Sequence, residues 1–328
     1  MDINGFKRFL EARKLSQDTI DASVALLQDF ETNLKSRSKE IATATREDFY
    51  DYSAQLIKVG KNTADNYISI LRYAYFKKLN ELIIAGMEVL DGSEVIENFS
   101  NRLVSEFNQE LRDYIFEGIK LPALGISPDE KPKYTRKLIA RLEGKIGVDE
   151  CMKFLNRGLR DRYEESRKPD REKFLKSKNI DEFLKQKHKD FVVELERHFK
   201  NNTLFFTQEI SEEVLEHVKS DPYIESGVRE GNKIIIKKIP HMAKEYLAEK
   251  DERKKRYYYC HCPWVKEAFE ESDKPISPVF CSCSAGFYRA YWEIVFDQPV
   301  QVDVLASLLN GDPICKFAVH IPDNVTTG

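Results

Sequence analysis

Five of the six cysteines fall within residues 257–320. They read Cys260-His261-Cys262-Pro263-Trp264, then Cys281-Ser282-Cys283-Ser284-Ala285-Gly286, then Cys315. The spacing is C-x-C, eighteen residues, C-x-C, thirty-one residues, C. Thiols gathered in this way either bind something soft or do thiol chemistry. Neighbours i and i+2 share a face in a strand but not in a helix, so Cys260 and Cys262 reach one metal from a strand or a tight loop. Pro263 cannot donate a ladder hydrogen bond, which puts the first pair at a strand end. The second pair leads into a helix over 285–296 with Ser284 as its cap, where the helix dipole favours a thiolate. Zinc suits such ligands: four of Cys260, Cys262, Cys281, Cys283 and Cys315 close a tetrahedral site and leave one spare. An iron–sulfur cluster uses the same ligand type. The rival chemistry is a thiol enzyme, with Cys283 as nucleophile and His261 or His320 as general base. Its pocket would be lined by Tyr257, Tyr259, Trp264, Phe287, Tyr291 and Trp292. The same aromatics serve equally as the wall of a small-molecule site or as ordinary core.

The elements that position these residues follow from pattern. Residues 300–304 alternate as a strand, Asn310-Gly311-Asp312 is a tight-turn signal, and residues 314–321 return and carry Cys315 back. Residues 231–239 read as a strand after a turn, Ser211 opens a short helix, and Leu204-Phe205-Phe206 is β-prone. The tail therefore reads strand, cysteine loop, helix, strand, turn, strand.

The 328 residues allow two domains or one large one, and the net charge of −3 gives no support to a strongly basic nucleic-acid partner. No apolar run is long enough to span a bilayer, so no membrane role is expected. Residues 1–4 lack the basic and apolar segments of a signal peptide, so a cytoplasmic setting is expected. In that reducing compartment the cysteines are expected to bind metal or do catalysis rather than form disulfides. Cys151 stands apart as a small core residue. The sequence does not fix the oligomeric state, and a homodimer is compatible with it.

Residues 1–85 read as a compact bundle of four or five helices. Ser16 caps the second, whose apolar face is Ile20, Val24, Leu27, Phe30 and Leu34. Thr45 with Asp48 opens the third, and the fourth starts near Asn62-Thr63 with Tyr67, Ile68, Leu71 and Tyr75 on one face. The series Leu15-Ser16-Gln17-Asp18-Thr19-Ile20, Thr45-Arg46-Glu47-Asp48-Phe49, Gly60-Lys61-Asn62-Thr63-Ala64 and Ile70-Leu71-Arg72 resembles the SAM-like core-binding domain of phage integrases and tyrosine recombinases. The resemblance implies half of a clamp around duplex DNA. A basic edge of Lys58, Lys61, Arg72, Lys77 and Lys78, with Asn62 and Asn66 between, would supply the contacts. A protein-binding role is the alternative, because 13 Lys/Arg against 12 Asp/Glu leave residues 1–85 nearly neutral. The recombination reaction itself is not expected. None of the six histidines stands in a His-x-x-Arg context, and no tyrosine follows Tyr291.

Residues 86–100 read as a linker. Residues 101–328 then form an α+β domain, helical over 101–200 and sheet-containing over 201–328. Helices are expected from 101 to about 119, over 138–146 closed by Gly147, and over 180–199. The charged stretch 152–177 reads as a solvated helical face or, less simply, a basic patch around Arg157, Arg160, Arg162, Arg167 and Arg171. The tail, through Cys260-His261-Cys262-Pro263, residues 280–287, the 300–304 strand and Gly311-Asp312-Pro313-Ile314-Cys315-Lys316-Phe317, resembles 4-vinyl-reductase-type domains. It is also similar to L-2-amino-thiazoline-4-carboxylic acid hydrolase-like proteins. This resemblance implies a hydrophobic or aromatic small-molecule ligand beside a structural zinc, with Cys315 a ligand. A second family cysteine is replaced here by Ser307. Together these expectations describe a non-catalytic sensor or regulator with a thiolate-held zinc, or alternatively a cysteine-dependent C–N hydrolase.

Overall fold

The computed structural model describes residues 1–161, 164–270 and 275–325. The chain is α+β and forms two compact units: Met1–Ser93 with Leu121–Lys131, and Glu94–Lys120 with Pro132–Gly328.

The first unit is all helical: α1 (Ile3–Glu11), α2 (Gln17–Lys35), α3 (Arg46–Lys58), α4 (Ala64–Lys77) and α5 (Asn80–Leu90). Side chains of Asp2, Ser16, Thr45 and Thr63 accept hydrogen bonds from first-turn N–H groups, so four helix starts are written into the sequence. Thr45 and Asp48 form a reciprocal capping box. Phe6, Leu27, Phe30, Phe49, Tyr67, Ala74 and Leu82 are all within 1% of full burial. Segment 121–131 returns to this unit. The Asn62 amide donates to the Leu124 carbonyl (2.9 Å) and the Ser53 hydroxyl to the Gly125 carbonyl (2.6 Å). Gly125 has φ +100° and lies so close to Tyr67 that a Cβ would meet its hydroxyl at 1.9 Å.

The stretch 86–100, expected as a linker, is instead mostly helix. It comprises the end of α5, a turn, and the start of α6 (Val95–Glu106). Gly86 sits inside α5 because Leu71 packs where its side chain would be, at 2.6 Å. The helix expected from 101 to 119 is two: α6 ends at Glu106, with Phe107 after it, and Asn108 caps α7 (Gln109–Phe116) through Leu111.

The second unit continues with α8 (Lys131–Ile146), α9 (Val148–Asn156), α10 (Glu164–Lys176), α11 (Ile180–Asn201) and α12 (Glu212–Ser220). Next come β1 (Val228–Glu230), β2 (Lys233–Lys237), α13 (Ala243–Ala248), α14 (Glu252–Tyr259), α15 (Ser282–Phe296), β3 (Val302–Ala306) and β4 (Lys316–His320). The sheet is antiparallel in the order β1-β2-β4-β3. Its register pairs Ile234 with Val319 and Ile236 with Phe317, and these side chains join Trp292 and Val295 of α15 and Phe183 of α11 in one core. Apolar residues of the central strands thus meet one face of a helix, the reason this end of the chain folds as sheet on helix.

Three local expectations change. Tyr257-Tyr258-Tyr259 ends a helix rather than a strand, because Asp251 accepts from the Arg253 and Lys254 amides and starts α14. Cys260 is therefore the residue after a helix. α15 begins at Ser282 behind a 3-10 turn at Pro278–Cys281, so Cys281, not Ser284, occupies the cap position and Cys283 lies in the first turn. Leu204-Phe205-Phe206 yields only a bridge between Phe205 and Gln208.

Candidate functional site

All five clustered cysteines come to one region of the second unit. Cys260 and Cys262 arrive from the end of α14, Cys281 and Cys283 from the start of α15, and Cys315 from the residue before β4. The Lys238 amide donates to the Cys315 carbonyl (3.3 Å), which ties the end of β2 to the same place. The Lys238 ammonium reaches the Ser284 hydroxyl (3.4 Å). The Cys262 carbonyl accepts from the amides of Val265 (3.0 Å) and Lys266 (2.9 Å), folding the first pair into a tight turn.

A neighbouring backbone N–H favours charge at each of the five sulfurs: that of Cys262 at Cys260, Trp264 at Cys262, Leu309 at Cys281, Leu159 at Cys283 and Leu308 at Cys315. The Ser307 side chain also favours charge at Cys281. Lys238 and Arg160 stabilise negative charge at both Cys262 and Cys283, and Arg102 does so at Cys283. Burial nonetheless dominates. It pushes the Cys262 thiol up to about 11, with Cys283 adding to the rise, and the Cys281 thiol up to about 12, with Cys315 adding. Burial also raises Cys260, Cys283 and Cys315. As folded, no three His, Cys, Asp or Glu side chains among the described residues are set to hold a metal ion. The donor set is nonetheless soft and chemically suited to zinc or an iron–sulfur cluster.

The histidines have other engagements. His261 Nε2 lies 2.5 Å from the Ile239 carbonyl, and His320 Nε2 lies 2.6 Å from Asp303 across β3 and β4. With its thiol raised, Cys283 lacks the lowered pKa that a nucleophile needs at neutral pH.

The six aromatic residues do not line one pocket. Trp264, Trp292 and Tyr259 are buried packing residues, and the Tyr259 hydroxyl donates to the Lys238 carbonyl (2.7 Å). Tyr257 lies under the Lys266 ammonium. Phe287 and Tyr291 do share a cleft, one with Arg157, Arg160 and Arg167. That arginine run was expected as a solvated helical face or, less simply, as a basic patch. Its signal, arginine spacing around Gly158, has meaning only once Gly286 is placed against it. Arg162, from the same run, lies outside the described residues. Cys151 is buried core with its thiol pushed up to about 12, chiefly by burial.

In the first unit, Lys58, Lys61, Lys77 and Lys78 are exposed and Arg72 half-buried. Lys77 lies over the Phe76 ring and 3.9 Å from Asp2. The two asparagines are committed internally: Asn62 to the Leu124 carbonyl and Asn66 to the Lys61 carbonyl (2.6 Å). They support the edge rather than extend it.

Two regions of the chain match protein families. Residues 3–81 match the phage integrase N-terminal SAM-like domain. Residues 235–326 match a family of unknown function (DUF6144), whose description names neither a vinyl reductase nor a hydrolase. That match contains all five clustered cysteines. No curated protein and no solved structure matches the chain. No helix among the described residues is long and apolar enough to cross a membrane.

Proposed function

We propose that an integrase-type helical domain and a cysteine-bearing α+β domain make this chain a non-catalytic, DNA-engaging regulator whose second unit holds a soft metal, zinc first, through thiolates. One observation carries the metal reading: the fold brings five cysteines from three separate elements to one region, where backbone N–H groups, Lys238, Arg160 and Arg102 favour charge on their sulfurs. N–H donors and cations around sulfur favour thiolate over thiol, and thiolates are what a metal requires. For neutral thiols such donors would gain little, and burial alone would be enough. An iron–sulfur cluster is the alternative occupant. The hydrophobic small-molecule ligand suggested by the tail has less support, because the aromatic residues expected to line its pocket are divided between core and surface.

DNA engagement rests on the SAM-like match and on the exposed Lys58, Lys61 and Lys78 with the half-buried Arg72. The contact is to phosphate, because the bundle's near-neutral charge leaves only this local edge.

The test is elemental analysis of full-length protein purified anaerobically without chelator, with a duplex-DNA binding isotherm at two salt concentrations. About one zinc per chain, lost in Cys281→Ala/Cys283→Ala, is the expected result. Iron with matching sulfide would transfer the site to a cluster. Absence of any metal would overturn the metal reading, and affinity for DNA that does not change with salt would overturn the phosphate contact.

A further inference from the structure

A second site lies along segment 157–161, the same segment whose Leu159 N–H reaches Cys283. On one helical face of α15, Gly286, Phe287 and Tyr291 meet the loop after α9 and the start of α10, leaving a cleft of about 40 Å³. That is room for a few waters or one phosphate- or carboxylate-sized group. The Gly158–Gly286 backbone contact forms its floor, so no side chain fills it. Arg157, Arg160 and Arg167 line it.

The carboxylates around the cleft have partners of their own. Arg157 pairs with Glu106 (2.9 Å), but Glu106 is shared with Arg102 (2.6 Å). Asp161 accepts from the Asn98 amide (2.8 Å), and Asp170 accepts from the Tyr291 hydroxyl (3.1 Å). Arg167 makes no ion pair among the described residues; its guanidinium lies 5.5 Å over the Tyr291 ring. Lys187 lies 5.4 Å from the same ring and donates to the Glu225 carbonyl (2.5 Å); burial lowers its pKa, so it is not counted among the cleft's cations. Phe287, 42% exposed, stands at the mouth. Guanidinium groups present flat forks of donors that match the two oxygens of a carboxylate or phosphate.

We propose that this cleft binds the oxyanion head of a small ligand, a phosphate or carboxylate, with Arg167 as its principal contact and Phe287 packing against whatever the head is attached to. No cysteine lines the cleft.

The experiment titrates inorganic phosphate and, separately, benzoate into the full-length protein by calorimetry at fixed ionic strength, with and without prior chelation. Saturable binding is expected, weakened roughly tenfold in Arg167→Gln and unchanged in Arg197→Gln, an exposed arginine on α11. Binding of phosphate alone assigns a phosphoryl head. Tighter binding of benzoate, lost in Phe287→Ala, assigns an aryl carboxylate. Absence of saturation overturns the proposal. So does equal weakening by the two arginine variants, which would mean general charge rather than a site. Displacement of phosphate by an equal concentration of duplex oligonucleotide would overturn the small-ligand assignment in favour of nucleic acid. Loss of binding after chelation would make the anion a ligand of a metal and overturn Arg167 as its principal contact.

Discussion

Gly286 of α15 lies directly against Gly158: a methyl group at Gly286 would sit 2.2 Å from the Gly158 nitrogen and 2.3 Å from its Cα. Backbone meets backbone here, and neither partner is the flexible end of a side chain. The contact sets how deeply segment 157–161 approaches α15, and with it the Leu159 N–H at Cys283 and the arginines at the cleft.

Gly286→Ala is therefore expected to cost about 1–3 kcal/mol or more, from overpacking that only a backbone shift relieves. Gly144→Ala in α8 is the counterpart. Its Cβ meets nothing within 4 Å, and the change should stabilise by roughly 0.5–1 kcal/mol. Urea unfolding of the two variants checks the contrast, and similar effects from both would refute the close approach.

The raised thiols give the metal-free protein an alkaline weakness. Cys262 and Cys281 are neutral in the fold up to about 11 and about 12, whereas an unfolded thiol ionises near 9.0. The folded state then holds protons that the unfolded state has lost, so stability is full below pH 9 and falls as pH rises through the folded values. Unfolding midpoints at pH 8 and pH 10.5 should differ in chelated protein and differ less after zinc loading. A flat profile in chelated protein would mean the thiols are solvated.

Asp48 has the opposite sign. Burial alone would raise its carboxyl, but hydrogen bonds from Lys39 (2.7 Å) and the Thr45 amide (3.0 Å) outweigh it and hold it below 3.8. Its contribution is present above that value and lost as pH falls through the lowered one. Asp48→Ala should cost about 1–3 kcal/mol at neutral pH, because the cap and its hydrogen bonds are removed together. The gap from the parent should close below pH 3.8, which acid unfolding of both proteins would show.

In the first unit, lysine and asparagine substitutions should separate. Lys61→Glu or Lys78→Glu is expected to lower DNA affinity and flatten its salt dependence by about 0.9 for each phosphate no longer neutralised, with stability unchanged. Asn62→Ala is expected to lower stability by about 1 kcal/mol, because its amide holds the returning segment at Leu124. Paired denaturation and DNA-binding curves check this, and an Asn62 variant that binds DNA weakly while remaining fully stable would contradict it.

The sequence by itself determined the capped helices of the first unit, because Ser16, Thr45 with Asp48, and Thr63 satisfy orphan N–H groups within three residues of themselves. It determined the α+β class, because short runs rich in Ile, Val and Phe at 233–237, 302–306 and 316–320 follow the long helical stretches. It also marked the five cysteines by spacing. Tertiary structure decided the rest. Gly86 reads as a hinge but lies within a helix because Leu71 occupies its side-chain space. Segment 121–131 belongs to the first unit through Asn62, Ser53 and Gly125, partners separated by some sixty to seventy residues that no local pattern encodes. Six aromatics that look alike in sequence were divided into core, surface and cleft by the packing of α15. Arginines that read as solvated charge acquired a concave setting only through Gly158 against Gly286. Caps and apolar strand runs are short-range and legible, whereas clefts and shared cations depend on which distant backbones can touch.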